Sequence, residues 1–109
     1  MDEDTRLLAL SVIAHRSRLA IFRLLATAGP RGLPAGEISA QLGIVPSSLS
    51  FHLKDMSRAN LVSSRREGTF IFYSAGLDAL HGVIDLLTEN CLADFARHPS
   101  SRSSSSSST

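Results

Sequence analysis

At 109 residues the chain is sized for one domain and too short for two with separate cores. Its formal charge of +1 gives no strong whole-molecule field, and a single cysteine excludes an intrachain disulfide, in keeping with a reducing cytoplasm. No apolar run approaches bilayer length, and the charged start (Asp2, Glu3, Asp4, Arg6) reads against a secretory signal, so no membrane partner is expected.

From Asp4 to about His15, Leu7, Leu8, Leu10, Val12 and Ile13 predict a helix that is apolar over more than one stripe, as contact with two neighbours would require. A break is expected at His15-Arg16-Ser17, with Ser17 the N-cap candidate for a second helix whose core residues are Leu19, Ile21, Phe22, Leu24 and Leu25. Gly29-Pro30 stops that helix, and Arg31 to Pro34 reads as a short connection. Ala35 to Leu42 is the third helix, with Ile38 and Leu42 inward and Glu37 and Gln41 outward; Gly43 then supplies the positive φ of a tight turn.

Pro46 opens a fourth helix that ends near Ala59-Asn60. In it Leu49, Leu53 and Met56 recur at i, i+4 and i+7, while Ser47, Ser48, Ser50, Phe51, Lys54 and Arg58 occupy the other face. A half-buried helix offering hydroxyls and cations suits the major groove, where each base pair shows its own donor and acceptor pattern. Ser47, Ser48, Ser50 and Phe51 are the candidates for base edges, with Phe51 suited to a thymine methyl; Lys54 and Arg58 suit phosphates. His52 lies beside the apolar stripe and reads as a structural hydrogen-bonding group.

Leu61-Val62 and Thr69 to Tyr73 are β-rich on either side of Glu67-Gly68, a hairpin signal, and Arg65 and Arg66 near the turn suit phosphate or minor groove. Gly76 to about Ala96 is a last helix, with Leu77, Leu80, Ile84, Leu87 and Cys91 on one stripe and Val83 and Leu92 beside it. The folded domain is expected over residues 1–98, and the serine-rich residues 99–109 as a disordered tail. The fold expected is mostly α with a small β-hairpin, a winged helix-turn-helix of order α-α-α-α-β-β-α. Enzyme chemistry finds no support: there is no glycine-rich phosphate loop and no thiol pair, and Ser50 and His52 are two apart on a helix and do not face each other.

The segments HRSRLAIFRLLATAG, EISAQLGI, SSLSFHLKDMSRANLV and SSRREGTFIFYS resemble the ArsR/SmtB family of bacterial winged-helix repressors, over roughly residues 5 to 95. The resemblance implies a homodimer paired through its first and last helices, two recognition helices on a palindromic operator of double-stranded DNA, and release by a metal or metalloid such as Zn(II), As(III) or Sb(III). The thiol pair that arsenite-sensing members carry at the first motif helix is absent, since Leu33 to Ile38 holds no cysteine. Against the family's zinc pattern in the last helix, Asp78, Cys91 and Asp94 fall at matching spacing, Leu80 takes a histidine position and His81 lies one residue off. Glu89-Asn90-Cys91-Leu92 keeps half of another thiol pair. The metal-ligand candidates are therefore Cys91, Asp78, His81 and Asp94, set against a packing or thiol-redox role for Cys91 and a metal-independent regulator. A winged-helix module that contacts a protein instead of DNA is the reading of a different class.

Overall fold

The computed structural model describes the backbone of residues 1–97 and the side chains through Glu89. The serine-rich tail lies outside the described residues. The elements are α1 (Glu3–Ile13), α2 (Arg16–Ala28), β1 (Leu33–Pro34), α3 (Ala35–Leu42), α4 (Pro46–Arg58), β2 (Val62–Glu67), β3 (Phe70–Ala75) and α5 (Leu77–Arg97). Among the described residues no helix is long and apolar enough to cross a membrane.

Local chemistry sets most of the boundaries. The Asp2 carboxylate accepts the Thr5 N–H at 2.9 Å and caps α1, with Glu3 and Asp4 complementing the dipole in the first turn. The cap of α2 differs from the expected Ser17. Its N-cap is His15, in extended conformation, and His15 Nδ1 accepts the Ser17 N–H at 3.2 Å. An imidazole acceptor one position outside the helix reaches the second amide as a serine hydroxyl would. Gly29 ends α2 at φ 80, and Gly43 ends α3 in the left-handed region at φ 66.

α4 begins with Pro46 at its first turn and closes with a Schellman arrangement. The Asn60 N–H bonds to Ser57 O at 3.1 Å and the Leu61 N–H to Met56 O at 2.9 Å, while Asn60 takes φ 61. Leu61 and Met56, which bracket this cap, are both fully buried.

The sheet has three antiparallel strands in the order β1-β3-β2, one more than the expected hairpin. Leu33 pairs with Tyr73 and Pro34 with Phe72, so the short connection is an edge strand, where proline is tolerated. The wing itself is longer than expected, pairing Val62 with Ala75 through Glu67 with Phe70. Its turn is Gly68-Thr69, one residue beyond Glu67-Gly68, with Gly68 at φ 63.

Among the described residues, Ile21, Leu25, Ile38, Leu49, Met56 and Leu61 are the largest fully buried side chains, and none of the buried residues is polar or charged. α5 faces this core with small residues, Ala79, Gly82 and Val83. Three members of its large stripe turn outward, Leu77 at 54% exposed, Ile84 at 46% and Leu87 at 55%, while Leu80 packs partly against the core. Leu7 and Leu8 of α1 are likewise exposed.

The end of α4 and the start of α5 meet backbone to backbone. Gly76 N–H donates to Leu61 O at 2.7 Å, and a Cβ on Gly76 would collide with the Asn60 carbonyl. Gly76→Ala should therefore cost about 2 kcal/mol or more in urea denaturation. Gly36→Ala, on an exposed turn of α3 with open space around it, should gain about 0.5–1 kcal/mol.

Candidate nucleic-acid interface

α4 is held from below by Leu49, Leu53 and Met56, the stripe that the spacing predicts. Ser47, Ser48, Ser50, Phe51, Lys54 and Arg58 all stand exposed on its other side, Phe51 at 60%. The first turn carries no acidic residue and no side-chain cap, so the positive end of the helix dipole is open to an anion. Arg58 approaches Asp55 at 3.5 Å, but its side chain is mostly exposed, and an exposed pair of this kind is weak enough to yield to a phosphate.

Beneath this face runs a polar seam to α2. Arg18 Nη2 donates to Asp55 Oδ2 at 2.7 Å and Arg18 Nε to His52 Nδ1 at 3.1 Å. The His15 and His52 rings lie 4.9 Å apart, and the Arg18 guanidinium sits 5.8 Å from the Phe51 ring centre. His52 is thus turned inward as a hydrogen-bonding group. Burial holds its pKa below the ordinary 6.5, and the nearby Arg18 and His15 act in the same direction. Sequence reasoning missed Arg18. It sits among the core residues of α2, and its partners lie 34 and 37 positions away, beyond any local pattern.

The wing separates two arginines that the sequence treats alike. Arg65 is committed internally: Nε bonds to Glu67 Oε2 at 2.8 Å, Nη1 to the Arg31 carbonyl at 2.9 Å, and the guanidinium lies 5.0 Å from the Phe72 ring centre. Arg66 is opposite Ile71 on the other face, exposed, with no hydrogen bond or ion pair to the described residues. Arg66 therefore has the free guanidinium, and Arg65 braces the wing against the turn before β1.

Asp78 and His81 are exposed on α5, and Cys91 and Asp94 lie outside the described side chains. Among the described residues no three His, Cys, Asp or Glu side chains gather to hold an ion.

These placements predict distinct outcomes on duplex DNA. Arg66→Ala should lower the log–log salt slope of binding by about one per bound subunit, as loss of one phosphate contact in each does. Arg65→Ala should leave that slope nearly unchanged and instead speed amide exchange in β2 and β3. Equal effects of the two substitutions on the slope would refute the division of labour.

A family model described as "Helix-turn-helix domain" matches residues 13–65. The chain is 33% identical over 89 residues to the nodulation protein NolR of Rhizobium meliloti, covering 80% of this chain and 70% of that one. The solved structure of HlyU from Vibrio cholerae superposes with a TM-score of 0.63 at 28% identity, over 81% of this chain and 98% of that one. The curated HlyU, named a transcriptional activator, is 33% identical over 78 residues, covering 72% of this chain and 69% of that one. The fold also matches the homodimeric winged helix-turn-helix DNA-binding domain of a possible ArsR-family regulator from Mycobacterium bovis, with a TM-score of 0.64 at 24% identity over 93% of this chain and 89% of that one. With its helix-turn-helix, its three-stranded wing and these relatives, the chain belongs to the ArsR/SmtB family of winged helix-turn-helix transcriptional regulators, which are DNA-binding proteins and not enzymes.

Proposed function

We propose that the chain is a sequence-specific repressor that binds a palindromic operator as a homodimer paired through α1 and α5. The observation that carries the reading is the pairing of two outward surfaces on one small domain. One is the hydroxyl-rich and cationic face of α4; the other is the apolar surface of Leu7, Leu8, Leu77, Ile84 and Leu87. α1 and α5 pack on each other, with Arg6 bonded to Glu89 at 3.1 Å, and both helices carry these exposed side chains. Large side chains left in water at this density favour association, each contributing about 1.5–3 kcal/mol when fully covered.

Dimerisation also answers a problem of reading length. One short helix contacts few base pairs, whereas two related by a two-fold axis read half-sites about one helical turn apart. In this reading Ser47, Ser48, Ser50 and Phe51 face base edges, and Lys54, Arg58 and Arg66 face phosphates. A dimer seated on its own promoter excludes polymerase from the sequence it covers, which is repression in its simplest form. Release by an inducer belongs to the same reading. Two of the four metal candidates, Cys91 and Asp94, lie outside the described side chains, and no step here passes through a metal.

Two measurements test this. Light scattering should give a dimer for the chain at micromolar concentration and a monomer for Ile84→Glu/Leu87→Glu, with DNA affinity falling at least about 100-fold as the second half-site is lost. Selection from a random-sequence duplex pool should return inverted repeats with half-site centres about 10 base pairs apart. A monomeric wild-type chain, or selected sites without two-fold symmetry, would refute the reading.

A further inference from the structure

We propose that Arg18 is a positioning residue for DNA recognition: it ties α4 and its exposed Phe51 to α2, and it does so only while His52 is neutral. The proposal rests on α4 being the reading helix. Arg18 lies behind that helix, its side chain only 12% exposed, and it touches three of its residues, Phe51, His52 and Asp55. Phe51 is a candidate for base contact, so the pose of Arg18 bears on where that ring sits.

The hydrogen bonds fix which nitrogen carries the proton on each histidine. His52 Nδ1 accepts from Arg18, and His15 Nδ1 accepts from the Ser17 N–H that begins α2. A ring nitrogen that accepts carries no proton, so His52 takes the Arg18 bond only as the neutral imidazole with its proton on Nε2. Protonating His52 removes an acceptor and leaves its cation against the Arg18 guanidinium, which Asp55 already pairs. The titratable and charged groups facing His52 are Arg18 on α2, His15 ahead of α2 and Asp55 on its own helix, the last also approached by Arg58. Arg18 and Arg58 are fixed cations, and Asp55 is the anion they share.

The sign follows from linkage. Folded His52 resists protonation, so below the ordinary histidine value of 6.5 the unfolded chain binds the proton more readily. The contribution of the seam is complete above that value and is lost as pH falls below it.

The test measures affinity of the full chain, at fixed ionic strength, for a duplex selected from a random-sequence pool, between about pH 7.5 and about pH 5.5. Added histidine charge alone would tighten binding to phosphate. The expected result is the opposite, a loss of about tenfold, the size of one hydrogen bond to a charged group. His15→Asn/His52→Asn keeps an acceptor at both positions that takes no proton in this range, and asparagine caps helices well. Its affinity should stay level. Arg18→Met, with helix content unchanged by circular dichroism, should bind about tenfold more weakly at the higher pH and show no step. Without DNA, amide exchange at Phe51 to Lys54, corrected for intrinsic rates, should quicken on acidification in the wild type and not in the double variant. A level wild-type profile, a step that survives the double variant, or full-strength binding by Arg18→Met overturns the proposal. A chain that binds no duplex while the exchange arm behaves as stated overturns the DNA-binding reading instead and upholds the coupling.

Discussion

Everything exposed on α4 depends on what is hidden beneath it. A helix of 13 residues is marginal alone in water, so Leu49, Leu53 and Met56 must be buried for Ser47, Ser50 and Phe51 to have fixed positions. Each of these three buried side chains contributes about 1.5–3 kcal/mol of transfer free energy, far more than any exposed contact on the opposite face. The apolar underside fixes depth and direction, and the Arg18 seam at its edge fixes rotation. Apolar contacts tolerate sliding about the helix axis. A guanidinium held by a carboxylate and an imidazole does not.

A similar logic applies to the wing. Two-stranded ribbons are marginal in isolation, and both faces of β2 beyond Val62 are exposed, so burial cannot hold it. β1 adds a third strand at one edge, and Arg65 ties the other strand to the Arg31 carbonyl. With that bracing in place, Arg66 and the exposed Phe70 and Ile71 project from a supported surface. The polar residues thus divide into those that hold the frame and those that face outward.

Much of this was legible in the sequence. The i, i+4, i+7 stripe of α4, the left-handed Gly43 and the proline at the first turn are local signals, and local signals survive into the fold. What was not legible shares a physical cause. β1 has only two residues, too few to show alternation, and one of them is the proline that argues against a strand. The polar run Ser63-Ser64-Arg65-Arg66 gives no period because neither face of it is buried. Hydrophobic periodicity found the large stripe on α5, yet the inward face is made of Ala79, Gly82 and Val83, chosen for close approach: a Cβ on Gly82 would crowd Met1 and Arg6 of the α1 region. Arg18 and Arg65 act across more than thirty positions, which no window can see.

The backbone bond from Gly76 to Leu61 has a mechanical corollary. It joins the start of α5 to the cap of α4 through backbone atoms alone, with no side chain between them. In a dimer joined along α5, the pitch of that joint sets the span between the two α4 heads. A change of a few degrees at the seam is enough to move them out of step with the grooves.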